Sequence, residues 1–297
     1  MRNFTELLEQ ASACPAFTVS VAAAADEELL RAVKIAADMG FVKPVLTGNI
    51  DVVARLCKEI GLDPLAILHA ADDQEAVAKA VETVRSGSSQ VLMKGLVNTS
   101  IYMHGILNRE KGLRTGRLLS MMAVYQNPDY HKLLFCSDSG INVAPDLQQK
   151  KDILTNILLA TKALGLDCPK VAALTANEMV DPHIQSTVDA AGLVEAVTKG
   201  EVPPCMIEGP IAFDVAFDPA AAHHKKIKSK ITGDVDILIF PNMEAGNILG
   251  KSWIHLSHSP WAGIVLGATN PIILGSRSDT AEIKLNSIAL ACLSSRS

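Results

Sequence analysis

Aromatic side chains are scarce in this 297-residue chain, at 4% of the total, with two Trp and three Tyr. Its core is therefore expected to be aliphatic, as in α/β proteins whose buried strands are rich in Val, Ile and Leu. A basic excess is also missing: 27 Lys and Arg stand against 32 Asp and Glu, for a formal net charge of −5. That argues against a nucleic-acid partner held mainly through its phosphates, while leaving room for local basic patches that bind small anions. The cysteines, Cys14, Cys57, Cys136, Cys168, Cys205 and Cys292, include no C-x-x-C pair. No zinc framework or disulfide ladder is visible, and a reducing cytoplasm is the expected location. No apolar run nears the roughly 18 residues that span a bilayer, so no membrane is expected. The N-terminal stretch MRNFTELLEQ reads as an amphipathic start and not as a signal peptide.

What is present is a long alternation of strand-like and helix-like segments. Phe17–Ala24 reads as a strand, and DEELLRAVKIAADMG after it has apolar residues at helical spacing, acids in its first turn and Gly40 as a stop. Further strands are expected at Pro44–Gly48, LAILHA, Gln90–Gly95, KVAALT, CMIEG, DILIFP, AGIVLGA and PIILG, with helices between most of them. RLLSMMAVYQNPDYHKLLFCSD carries two apolar runs around the turn signal Asn127-Pro128-Asp129, and is expected to form an antiparallel pair in an otherwise parallel sheet. Repeated βα units imply parallel sheets with right-handed crossovers and ligands beyond the carboxyl ends of the strands. The expected fold is α/β, with two domains: 1–112 plus 267–297, and 113–266. The joints are placed at the glycine-rich basic segment near Gly112 and at the turns near Gly267.

The strand ends hold the polar residues. Lys94-Gly95 is followed by Asn98 and Thr99; Ser139-Gly140 follows LLFCSD; Gly209-Pro210 follows Glu208, with Asp214 further on; PNMEAGN carries Asn242, Glu244, Gly246 and Asn247; and GSRSD closes the last strand. Glycine lets backbone amides approach a ligand, and a helix N-terminus beyond it offers unpaired donors to an anion. Each such stretch is also what an ordinary turn is made of. Asn242 reads equally as a helix cap, and Gly246 in the first helical turn asks for close approach by a ligand or by the other domain. His255 and His258 have a three-residue spacing, but no Cys or acidic partner stands at ligand spacing, so no metal is expected. His223-His224 beside Lys225 and Lys226 read as a solvated helix end, and the cysteines as small buried hydrophobes.

In this order, MKGLVNTS, GLRTGRLLS, SDSGINVAPDLQQKKDI, IEGPIAFDVAFD, GDVDILIFPNMEAGNILGKS and GIVLGATNPIILGSRSDTAEIKLNSIALA resemble the phosphate acetyl/butyryltransferase family. The NPIILGSRSD ending is similar to the butyryl branch. The resemblance runs from Lys94 onward. It implies two α/β domains with an interdomain cleft, like isocitrate and isopropylmalate dehydrogenases. It also implies a homodimer, and the reaction acyl-CoA + phosphate = acyl phosphate + CoA, with no metal and no cofactor beyond the substrate CoA.

The resemblance also implies roles at the last strand end. Ser276 would hydrogen-bond the CoA sulfur, and Arg277 would bind phosphate. A hydroxyl donor helps a departing thiolate and a guanidinium suits a phosphate dianion, so the chemistry agrees. The acetyl branch has an Asp base six residues after this Arg, where the present chain has Ile283. Asp279 or Glu282 takes the role, or phosphate itself takes the proton. A family Arg after the Lys94 strand is His104 here, for which Arg114 and Arg117 could compensate. Two other readings stay open: an NAD-dependent hydroxyacid-phosphate dehydrogenase of the same fold group, and a CoA-binding homologue without activity.

Overall fold

The computed structural model describes residues 1–275 and 279–296. They form two compact units, one of Asn3–Arg117 with Ala262–Arg296, the other of Leu118–Trp261 with Met1–Arg2. Element labels run along the chain.

The first unit begins α1 (Phe4–Ser12), β1 (Phe17–Ala22), α2 (Glu27–Asp38), β2 (Val42–Gly48), α3 (Ile50–Ile60), β3 (Ala66–His69), α4 (Asp73–Arg85), β4 (Val91–Lys94) and α5 (Thr99–Ile106). The chain returns to it through β10 (Trp261–Leu266), β11 (Ile272–Ile273) and α11 (Ala281–Ser294). The strand order is β3-β2-β1-β4-β11-β10. All of these run parallel except β10, which meets β11 antiparallel at Val265 and Ile272. The order reverses between β1 and β4, so crossovers leave a crevice beyond Ala22 and Lys94, where such sheets bind ligands.

Helix starts in this unit follow one rule. Asn3, Asp26, Asn49, Asp72 and Asn98 each cap a helix through a side-chain oxygen that accepts a first-turn amide. α3 ends on Gly61 in the left-handed region, at φ 69°, where a Cβ would be penalised. β1 is walled by apolar side chains, with Val19, Val21 and Ala22 fully buried. This core is aliphatic, as composition required.

The second unit holds β5 (Ser120–Tyr125), β6 (Leu134–Ser137), α6 (Leu147–Ala163), β7 (Lys170–Leu174), α7 (Gln185–Thr198), β8 (Met206–Ile211), α8 (Phe213–Phe217), α9 (Pro219–His224), β9 (Ile237–Ile239) and α10 (Met243–Leu256). The order is β5-β6-β9-β7-β8. β5 pairs antiparallel with β6 across the expected turn, where the Asn127 side chain accepts the Asp129 amide at 3.0 Å; the others are parallel. α6 opens on a capping box of Asp146 and Gln149.

Here the few aromatics gather. Tyr125 meets Trp253 edge-on at 5.2 Å between centroids, and Phe217 meets Tyr130 at 5.2 Å. A Cβ on Gly250 of α10 would sit 2.1 Å from the Tyr125 hydroxyl, so that helix can pack only with glycine there. One boundary differs from the reading of the sequence. The strand expected at CMIEG, which ends on Gly209, continues as β8 through Pro210 to Ile211. It is an edge strand, where a proline costs no ladder hydrogen bond.

Under the amino ends of the second unit's strands lies an ionic cluster. Asp234 accepts from Lys132, Lys170 and His131 at 2.7, 2.6 and 3.0 Å, and Asp236 accepts from Lys132 at 2.6 Å. The Lys132 ammonium first, then Lys170, holds the Asp234 carboxyl below the usual carboxylate range. A depressed folded-state pKa adds stability that is present above about pH 4, the unfolded value, and lost as pH falls below it. Urea midpoints measured from pH 6 down to pH 3 should therefore fall for the parent, and fall less steeply for Asp234→Asn. Asp234 is half-exposed, so solvent screening keeps the difference small.

Candidate functional site

Each unit carries candidate residues at its strand ends. In the first, Lys94 ends β4, and Gly95 follows because a Cβ there would lie 2.3 Å from the Ala23 carbonyl oxygen. Asn98 caps α5: its Oδ1 accepts the Ser100 amide and hydroxyl, both at 2.9 Å. Thr99 is the first residue of that helix and is exposed. Arg114 and Arg117 lie exposed in the segment after Gly112, which Thr115 pins by donating to the Gly267 carbonyl at 2.5 Å. His104 lies on the outer face of α5. It lines two adjoining hollows of about 560 and 470 Å³, one of them between α4 and α5, and none of Lys94, Arg114 or Arg117 lines either.

The last strand end is the one singled out by its motif. Ser276 and Arg277 lie outside the described residues, as does Ser278. Of their neighbours, Gly275 has φ 38° and Asp279 is buried. The cap of α11 is Thr280, whose hydroxyl oxygen accepts the Ile283 amide at 3.3 Å. Asp279 does not fill that post. Ile283 is half-buried and Glu282 exposed. Lys284, not singled out in the sequence, is 5% exposed, and its ammonium donates to the Asp279 carbonyl oxygen.

In the second unit the ends of β6 and β9 are joined. Asn247 donates through Nδ2 to the Ser139 carbonyl at 3.2 Å, and the Met243 amide to the Val143 carbonyl at 3.1 Å. Asn242 caps α10 through the Ala245 amide, and Glu244 sits exposed in its first turn. Gly246 has a local reason: a Cβ there would lie 2.4 Å from the Phe240 ring, so neither a ligand nor the other unit is needed to explain it. Glu208 lies within β8 and accepts the Lys230 amide at 2.7 Å. Asp214, on α8, pairs with Lys225 at 2.9 Å, and that bond lowers the Asp214 pKa; Lys225 also pairs with Glu178. Glu208 and Asp214 thus spend their carboxylates on partners within the second unit.

Asp138 is the residue whose importance was hidden. Its carboxylate is buried between β6 and the Ser139-Gly140 turn and accepts four donors from Gly140, Ile141 and Asn142. The only available signal was an Asp next to Ser-Gly, which any turn shares.

Among the thiols, burial raises Cys57, Cys136 and Cys292, and burial with the nearby Cys168 pushes Cys205 up to about 12. Such thiols are poor nucleophiles near neutrality. Among the described residues, no group of three His, Cys, Asp or Glu side chains could hold a metal, and no helix is long and apolar enough to cross a membrane.

The family model described as Phosphate acetyl/butaryl transferase matches residues 50–292. A phosphate butyryltransferase of Clostridium acetobutylicum is 37% identical over 295 residues, covering 99% of this chain and 98% of that protein. Among solved structures, a branched-chain phosphotransacylase from Enterococcus faecalis superposes with a TM-score of 0.81 at 28% identity, covering 94% of this chain and 99% of the other. A 4-hydroxythreonine-4-phosphate dehydrogenase from Klebsiella pneumoniae superposes with a TM-score of 0.60 at 12% identity, covering 94% and 99%, a likeness of fold alone.

Proposed function

Because the chain belongs to the phosphate acetyl/butaryl transferase family, we propose that it moves a short, butyryl-like acyl group between CoA and inorganic phosphate. Membership makes it a phosphate acyltransferase; the chain length of the acyl group is the finer part of the proposal. The observation that carries it is the match along nearly the whole chain to a phosphate butyryltransferase. No bound nicotinamide is required, and the dehydrogenase likeness extends to fold only.

In this reading a phosphate oxygen attacks the thioester carbonyl, the C–S bond breaks, and the sulfur leaves as thiolate or takes a proton. Arg277 binds the phosphate, with Lys94, Arg114 and Arg117 adding positive charge. Ser276 donates to the sulfur. Asn98, Thr99, Ser139, Asn242, Glu244 and Asn247 line the substrates from the strand ends. The carboxylates of Glu208 and Asp214, also in the expected set, are bonded to the Lys230 amide and the Lys225 ammonium.

Ile283 cannot move a proton, and Glu282 lies exposed in the first turn of α11. Phosphate, which enters with a proton, is the simplest donor to the departing sulfur. Glu282→Gln should then leave kcat within about two-fold, where loss of a true general base costs about 10²–10⁴-fold. Asp279→Asn should act differently, raising the KM for phosphate through Arg277. Steady-state kinetics on both variants checks this. A large kcat loss in Glu282→Gln with phosphate KM unchanged would place the base there instead.

The activity itself is tested by mixing purified protein with butyryl-CoA and phosphate and reading CoA release with a thiol reagent. NAD reduction without CoA release would support the dehydrogenase, and binding without turnover the inactive homologue. A kcat/KM series over acyl lengths then fixes the preference, at about 0.8 kcal/mol per buried CH₂. We also propose a cytoplasmic homodimer without nucleic-acid or membrane partners. Light scattering at micromolar concentration should give twice the 31.6 kDa chain mass, and a monomer mass removes that part.

A further inference from the structure

At the end of β6 the chain turns through Ser139, Gly140, Ile141 and Asn142. A Cβ on Gly140 would lie 2.5 Å from the Met121 sulfur, so the Met121 side chain would have to move to admit one. Successive amides in such a turn converge and make a site for an anion. Here that site is already filled. The Asp138 Oδ1 accepts the amides of Gly140 at 2.9 Å and Ile141 at 3.1 Å. Its Oδ2 accepts the Asn142 amide at 3.2 Å and the Asn142 side-chain amide at 2.5 Å. Asp138 is 3% exposed, and among the described residues no ion pair neutralises it.

The turn is also tied down on two sides. Asn142 Nδ2 donates to the Leu119 carbonyl at 2.8 Å, and Asn247 Nδ2 to the Ser139 carbonyl at 3.2 Å. The amides of Gly140, Ile141 and Asn142 are therefore spent, the segment is held, and a buried negative charge stands beneath it. A phosphate dianion placed on those three amides would find none of them free and would meet like charge.

We infer that Asp138 is a positioning and specificity-determining residue for acyl transfer: it is a built-in anion that fills the amide cradle of residues 140–142, so that this strand end serves the uncharged acyl thioester and not a phosphate dianion. This rests on the acyltransferase reading. Asp138 does not touch the reacting atoms; it acts through the segment that Ser139 belongs to.

The test is Asp138→Ser, which removes the carboxylate and frees three amides. Sulfate, an unreactive dianion, is the probe. In the parent, sulfate should compete with phosphate and not with acyl-CoA. In the variant it should also compete with acyl-CoA, with the acyl-CoA KM raised about ten-fold and the phosphate KM within about two-fold. A purely structural role would lower Tm or kcat without changing what sulfate competes with. An unchanged sulfate pattern, or a rise in phosphate KM alone, overturns the inference. If circular dichroism shows Asp138→Ser unfolded, Asn142→Ala is used, since it removes one donor and leaves the three backbone amides. A rise in acyl-CoA KM of about three-fold with phosphate KM unchanged supports the inference; a rise in phosphate KM instead overturns it. A parent that releases no CoA removes the acyltransferase reading and this inference together. An active parent with the wrong sulfate pattern in the variant removes the inference alone.

Discussion

Arg277→Ala is expected to lower kcat/KM for acyl transfer to phosphate by at least about 10²-fold, the loss seen when one charge-stabilising donor is removed. Thermal stability should change little. The residue stands in the GSRSD segment between β11 and α11, and its flanks set the scene: Thr280 caps the helix, Asp279 is buried, and the buried Lys284 holds the Asp279 carbonyl. The helix N-terminus favours an anion by up to about 2 kcal/mol when partly buried, less than a two-point guanidinium contact contributes. Arg277→Lys should also be poor, because a point charge cannot reproduce the planar fork. Steady-state kinetics beside a melting curve decides the matter. A folded Arg277→Ala protein within a few-fold of the parent would remove the phosphate role.

The second large effect concerns stability. Lys150 on α6 and Asp189 on α7 form an ion pair at 2.6 Å with both side chains buried, and Gln185 Nε2 donates to the other Asp189 oxygen at 2.8 Å. Asp189→Ala leaves an ammonium group in a dry interior without its counter-charge, which costs about 3–5 kcal/mol. A pair of well-packed apolar residues replaces such a bridge at little cost, so Lys150→Met with Asp189→Leu should recover most of the loss. Urea unfolding of the single and double variants measures both. If Asp189→Ala loses less than about 1 kcal/mol, water or a nearby group compensates and the pair is not a determinant of this unit.

The strand-and-helix alternation was legible because its signals are local. Asp and Asn caps, Gly stops and aliphatic runs sit next to the backbone they act on. Asn49 and Gly61 bracket α3 just where the hydrophobic period begins and ends. The Asn127-Pro128-Asp129 turn announced the β5–β6 hairpin for the same reason. β8 was cut short because Gly-Pro is a breaker signal, and it continues because its outer edge has no partner strand to deprive.

The candidate site was legible in type and only partly in use. Ser139 and Asn247 are 108 residues apart, and a hydrogen bond joins them. Asn242 and Asn98 proved to be caps, whatever else they contact. Gly246 answers to the Phe240 ring, and Glu208 and Asp214 are occupied by Lys230 and Lys225. No spacing rule shows which carboxylate is already paired, since the partners lie on other elements.

By itself, then, the sequence determined the class of fold, the order of its elements and the family. Each depends on local propensity, periodic burial or motifs of contiguous residues. Only the tertiary structure decided that the scarce aromatics gather around Gly250, that Lys150 has Asp189 as its partner, and that Asp138 fills the cradle of its own turn. These are matters of distance between groups that the chain brings together only on folding. Burial then makes each of them matter, because a charge or a methyl group without room or partner has no water to fall back on.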